Sequence, residues 1–82
     1  MALTTRAQIR AGRHLVGLSQ AEIAETTGLS VPTIKRAESD RDVSVSPEAV
    51  EAIRRAIETA GVIFVEENGE GPGVRLRKAK RK

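Results

Sequence analysis

The chain has 82 residues, a formal net charge of +3 and one aromatic residue, Phe64. Because this length is near the lower limit for a self-sufficient core, we expect one small domain with an interior of Leu, Ile, Val and Ala. The chain contains no cysteine, which excludes a disulfide framework and a thiolate metal site. No apolar run approaches the ~20 residues that span a membrane, and no signal peptide is apparent, so we expect a cytoplasmic protein.

The positive charge is concentrated at the C-terminus. Six of the fourteen basic residues lie from Arg75 onward, which leaves eight basic and eleven acidic residues before them. Any basic surface on the earlier part must therefore arise from the placement of individual residues. For residues 78–82 we expect a disordered basic tail that either adds a salt-sensitive attraction to phosphates or only improves solubility.

The first predicted helix begins after Thr5, which has Gln8 at the capping-box distance, and runs to about Val16. Gly12 lies within this helix at a cost of about 0.5–1 kcal/mol relative to alanine, which predicts the close approach of a neighbouring helix. Gly17 then ends the helix.

The next twenty residues, Gln20 to Ser39, predict two short helices joined by a tight turn. Ser19 caps the first helix, and Gly28 takes the left-handed conformation that the turn requires. Ser30 caps the second helix, with Pro32 in its first turn. Ile34 and Ala37 form the apolar face of this second helix, while its other face is polar and basic. Two such helices crossing about a glycine turn are typical of a helix-turn-helix.

At these residues the chain resembles the Cro/CI-type (XRE) helix-turn-helix DNA-binding regulators of bacteria and their phages. The resemblance extends over about residues 3–61, although Thr27 stands where the family usually has an apolar residue. It rests on an opening Leu18-Ser19-Gln20 and on Ala24, Gly28, Ile34 and Glu38. It implies a mainly α fold, with a four-helix, lambda-repressor-like DNA-binding domain at residues 1–61.

The family motif assigns DNA contacts residue by residue. With helix 3 in the major groove, the base-facing positions are Ser30, Val31, Pro32, Thr33 and Arg36. Arg36 is the candidate for reading guanine. The phosphate-contacting positions are Gln20, Arg13, Lys35 and Arg41, and Arg13 also pairs with Glu38. The alternative for Lys35, Arg36 and Arg41 is a solvated charge, and Asp40 and Asp42 would repel phosphate unless they turn away.

The fourth helix begins with Ser46 and Pro47 and ends at Gly61. The β-branched and aromatic run from Val62 to Val65 then predicts a strand, turn residues follow, and Val74 and Leu76 belong to a second strand. An isolated hairpin is barely stable in water. Residues 62–77 are therefore expected to form a C-terminal β extension that packs on helix 4, pairs with another chain, or does both.

The predicted function is a sequence-specific duplex-DNA-binding transcriptional regulator. The simplest form is a repressor that binds an inverted-repeat operator as a homodimer, in the cytoplasm and on the nucleoid when bound. The expected dimer contacts are Val62, Ile63, Phe64, Val65 and Ile57. The alternative is an antitoxin-like or anti-activator module whose C-terminal extension grips a partner protein. We expect no enzyme activity, catalytic residue, cofactor or metal, because the chain has one histidine, His14, and lacks a glycine-rich phosphate loop.

Overall fold

The computed structural model describes residues 4–77, and the predicted basic tail at residues 78–82 lies outside them. Within the described part, four helices precede a two-stranded antiparallel sheet, which confirms the predicted mainly helical class with a short β extension. The elements are α1 Arg6–Leu15, α2 Gln20–Thr27, α3 Val31–Glu38, α4 Pro47–Thr59, β1 Val62–Val65 and β2 Gly73–Leu76.

Each helix begins at a hydroxyl side chain that accepts a hydrogen bond from a backbone N–H in the first turn. These N-caps are Thr5, Ser19, Ser30 and Ser46. The predicted capping boxes of α1 and α2 are both complete. In α2, two hydrogen bonds lower the pKa of the Glu22 carboxyl. The larger effect comes from the Ser19 backbone N–H and the smaller from the Ser19 hydroxyl. The helix starts are thus determined by local sequence.

The core is aliphatic and draws on every helix and on β1. Phe64 adds the aromatic contribution to the same cluster. Among residues 4–77, the six largest fully buried side chains each contribute about 1.5–3 kcal/mol to stability through their burial. They are Ile9, Ile23, Ile34, Ile53, Ile57 and Val62.

The hairpin packs on the helices of its own chain. Its strands pair in the register Val62 with Leu76 and Phe64 with Val74, and they contact both α1 and α4. Val62 and Phe64 are buried, whereas Ile63 and Val65 lie half-buried on the outer face. The expected packing on helix 4 is therefore present, and α1 supplies a second supporting surface.

Gln8 joins α1 to the hairpin. Its Oε1 accepts the Thr5 backbone N–H at 2.8 Å and so completes the capping box. Its Nε2 donates to the carbonyl of Val65 at 3.1 Å and to that of Gly73 at 2.9 Å. Since Val65 and Gly73 are paired across the two strands, one buried amide secures both strands where they enter the connecting loop.

Gly12 allows the close packing that its position in α1 predicts. A Cβ at this position would lie 3.1 Å from the Ile57 Cγ2 in α4. It would also lie 3.4 Å from Val62 and 3.5 Å from Phe64. The neighbour was expected to be a helix, and the structure adds strand β1 to that contact.

Candidate nucleic-acid interface

Helix α3 buries one side and exposes the other. Ile34, Ala37 and Glu38 are buried, while Pro32 and Arg36 are exposed. Because Pro32 and Arg36 are separated by about one helical turn, they lie together on the side opposite the core. The exposed side of α3 therefore combines the apolar ring of Pro32 with the guanidinium group of Arg36.

The other α3 positions expected to meet DNA differ in exposure. Lys35 is exposed and Thr33 is half-buried. Ser30 is exposed at the N-cap. Val31 is half-buried and packs against the core. Its side chain is thus partly used for stability, and the outward surface is centred on Pro32 and Arg36.

Two hydroxyl groups, those of Ser30 and Thr33, are hydrogen-bonded in the first turn of α3. The Ser30 Oγ accepts the Thr33 backbone N–H at 3.2 Å and lies 2.9 Å from the Thr33 Oγ1. Arg36 Nη2 donates to the same Thr33 Oγ1 at 3.2 Å. The Arg36 side chain is therefore linked to the first turn of its own helix.

The buried carboxylate of Glu38 is fully engaged at the end of α3. Arg13 binds it with two parallel bonds, from Nε at 2.6 Å and from Nη2 at 2.9 Å. Gln20 Nε2 donates to the same carboxylate at 3.1 Å. Arg13 also donates from Nη1 to the Leu18 carbonyl at 2.9 Å. This cluster joins α1, α2 and α3, so the predicted phosphate-contacting residues Arg13 and Gln20 also have structural partners.

Two further arginines of α1, for which no motif predicts a role, hold the end of α3. Arg6 donates to the carbonyls of Arg36 at 2.8 Å and Arg41 at 3.3 Å, and also to that of Val43. Arg10 donates to the Glu38 carbonyl at 2.6 Å. Helix carbonyls at a C-terminus lack intrahelical partners, so these cations stabilise the end of α3.

The loop after α3 carries the predicted phosphate contact Arg41, which is exposed. Its backbone N–H donates to the Ser39 Oγ at 3.0 Å, and Arg6 binds its carbonyl. Asp40, whose charge would oppose a phosphate, pairs with Arg10 at 3.1 Å. The backbone at Arg41 is therefore fixed, and one neighbouring acid is paired with a cation.

The residues expected to form a dimer contact fall into two groups. Ile57, Val62 and Phe64 are buried in the core of their own chain, where Ile57 and Val62 have no exposed surface. Ile63 and Val65 lie on the outer face of β1 and remain partly accessible. Alternation along a strand explains this division, because successive side chains point to opposite faces. Of these five residues, Ile63 and Val65 are therefore the two whose side chains remain accessible on the outer face of β1.

Thr27 has a local role in the turn between α2 and α3. Its Oγ1 donates to the Ile23 carbonyl at 2.8 Å and accepts the Leu29 backbone N–H at 3.2 Å. Gly28 follows with φ of +78°, the left-handed conformation predicted for it. The hydroxyl therefore satisfies two polar groups of the turn, which accounts for a polar residue at this position.

Helices α2 and α3, joined at Gly28 and enclosed by α1 and α4, define a helix-turn-helix fold. The chain belongs to the family described as "Helix-turn-helix domain", whose model matches residues 6–62. This match confirms the resemblance at the level of the helix-turn-helix domain. No curated protein matches the chain.

A helix-turn-helix domain indicates a DNA-binding regulator whose partner is DNA. The family match ends at the first residue of β1, so nearly all of the hairpin lies beyond it. Among residues 4–77, no helix has the length and apolar character needed to cross a membrane.

Proposed function

We propose that this protein is a sequence-specific duplex-DNA-binding transcriptional regulator that inserts α3 into the major groove. The supporting observation is the exposed face of α3, where Pro32 and Arg36 project away from the core of a helix-turn-helix fold. A guanidinium can bond the O6 and N7 atoms of one guanine together. Pro32 offers an apolar contact to a thymine methyl group, with Ser30, Val31 and Thr33 nearby.

Phosphate contacts would position α3 in the groove. Lys35 in the last turn of α3 and Arg41 in the loop that follows are both exposed and supply cations. Gln20 is the first residue of α2, where backbone N–H groups favour an anion. Arg13 supports this surface through Glu38, and we assign it a smaller direct share because three of its nitrogens already donate within the protein.

We further propose a homodimer that represses by occluding a promoter. One helix-turn-helix reads only a few base pairs, and such domains therefore commonly bind two half-sites about one DNA turn apart. Residues 62–77 are the element we assign to this contact, through the outer face of the hairpin at Ile63 and Val65. This activity would place the protein in the cytoplasm, on the nucleoid when bound, without a catalytic step.

Selection of bound sequences from a random duplex pool at fixed salt tests the DNA-binding proposal. The wild type should enrich an inverted repeat, and Arg36→Ala should lose one base preference. Arg55→Ala is the matched control, because Arg55 is an exposed arginine on α4 paired with Glu51 at 3.1 Å. It should keep the full preference.

Failure to enrich any motif, with binding that only fades as salt rises, would contradict sequence-specific recognition. It would instead favour the alternative, an antitoxin-like or anti-activator module that binds a partner protein through its C-terminal extension.

Light scattering at micromolar concentration tests the homodimer. The wild type should have the mass of a dimer, alone or on operator DNA, and Ile63→Glu should shift it toward the monomer. Glu replaces an outward side chain here, so the core contacts of Val62 and Phe64 are retained. A monomeric wild type with and without DNA would contradict the dimer and leave the DNA-binding proposal to the selection experiment.

A further inference from the structure

One side chain on the exposed side of α3 is placed to act through its neighbour. Thr33 accepts a hydrogen bond from Arg36 Nη2 at 3.2 Å. We propose that the Thr33 hydroxyl is a positioning group that fixes the Arg36 guanidinium and so determines how strictly the protein selects guanine. This inference rests on the proposed function and assigns Thr33 a role other than direct contact with a base.

The hydrogen-bonding capacities fix the direction of this interaction. A guanidinium has only donors, so the Thr33 hydroxyl must be the acceptor. That hydroxyl lies 2.9 Å from the Ser30 Oγ, which is itself held by the Thr33 backbone N–H at 3.2 Å. Thr33 is also β-branched, and its side chain therefore has few accessible rotamers. Arg36 is thus attached to a rigid first turn rather than to another mobile side chain.

The backbone of Arg36 is fixed as well. Arg6 Nη1 donates to the Arg36 carbonyl at 2.8 Å from the neighbouring helix α1. Both ends of the Arg36 residue, its carbonyl and its guanidinium, are therefore held in the free protein. One N–H of Nη2 is used by Thr33, which leaves donors on both terminal nitrogens for a base.

This arrangement matters for discrimination more than for total affinity. Bidentate recognition of guanine needs two donors in a fixed plane, whereas a freely rotating arginine can bond acceptors on other bases or on phosphates. Phosphate contacts from Lys35 and Arg41 do not depend on the Thr33 hydroxyl. Removing the hydroxyl should lower the preference for guanine while much of the affinity for DNA remains.

The test compares Thr33→Val, which removes the hydroxyl at nearly constant shape, with Thr33→Ser, which keeps it. The Ser30 cap survives in both variants because it bonds the backbone N–H of residue 33. The probes are the selected operator and a copy of it with one guanine replaced. That guanine is the base whose preference is lost in Arg36→Ala. The ratio of the two dissociation constants is measured at one salt concentration.

We expect Thr33→Val to reduce this ratio roughly three- to tenfold, as for the loss of one hydrogen bond. Thr33→Ser should stay within about twofold of the wild type. In the DNA-free protein, ¹⁵N relaxation of the Arg36 Nε–H should show increased motion in Thr33→Val and wild-type motion in Thr33→Ser.

Each other outcome overturns the inference in a distinguishable way. If Thr33→Val keeps either the wild-type ratio or the wild-type Arg36 motion, or if Thr33→Ser loses as much as Thr33→Val, the hydroxyl is not the positioning group. The proposed DNA-binding function would then stand. A wild type without any base preference would overturn the proposed function and this inference together.

Discussion

The replacement of Gln8 by alanine tests how the hairpin is attached to the helices. Gln8 is buried, with 5% of its surface exposed, and its Nε2 serves the carbonyls of Val65 and Gly73. The substitution removes these two hydrogen bonds and the one that the Thr5 backbone N–H donates to Gln8 Oε1, and each contributes about 0.5–1.5 kcal/mol net. We therefore expect Gln8→Ala to lower the free energy of unfolding by about 2–4 kcal/mol.

Urea denaturation measures this loss, and thermal unfolding should show a fall in Tm of roughly 10–25 °C for a domain of this size. Glu22→Ala is the matched control. It removes the equivalent hydrogen bond, from the N-cap backbone N–H to the N3 side chain, in the exposed capping box of α2, and Glu22 makes no hydrogen bond to a strand. It should destabilise the protein less. If Gln8→Ala loses no more than Glu22→Ala, the strand carbonyls are not what Gln8 stabilises. Amide hydrogen exchange should also accelerate first at the hairpin.

Three other substitutions test a close contact in α1, a buried ion pair and a helix cap. Gly12→Ala should destabilise the protein by about 0.5–2 kcal/mol, measured in urea, because crowding of the fully buried Ile57 outweighs the gain in helix propensity; a more stable variant would contradict this. Arg13→Ala should cost about 3 kcal/mol or more, since the buried Glu38 carboxylate loses its cation and keeps only the Gln20 amide as a side-chain donor; a loss below about 1 kcal/mol would contradict the pairing. The Glu22 carboxyl should titrate by NMR below its ordinary pKa, and in Ser19→Ala its pKa should rise only partway, because the backbone N–H of residue 19, the larger cause, remains. Because the folded-state pKa is lowered, this stabilisation is present above the unfolded-state pKa and is lost as pH falls through the folded-state value.

Local sequence predicted the helix boundaries well because the determining contacts are local. Ser46 caps α4 through a residue three positions away, and Gly28 forms its turn through its own backbone dihedrals. The hairpin was also predicted from its strand and turn residues. Its location was left open, because the Gln8 contacts that settle it join residues separated by 57 and 65 positions.

The candidate site likewise has some features that local sequence predicts and others that depend on contacts distant in sequence. The outward positions of Pro32 and Arg36 follow from helical spacing alone. Arg6 and Arg10 lie four residues apart in α1, but their partners include backbone carbonyls, which sequence patterns do not mark. The bond between Thr33 and Arg36 has helical spacing, but the alternatives weighed from sequence for Arg36 were only base recognition and a solvated charge.

Helix α1 therefore connects the two surfaces that the proposed function needs. One side of it holds the hairpin, through the amide of Gln8 and the close contact at Gly12. The other side holds the end of α3, through Arg6, Arg10 and Arg13. If two chains join through their hairpins, α1 fixes the position of each α3 relative to the dimer contact. The separation of the two half-sites is then determined by a rigid helix, since both sets of contacts are made by buried or paired groups. Loosening either side of α1 should relax the preferred half-site spacing in the selected operators before it abolishes binding to a single half-site.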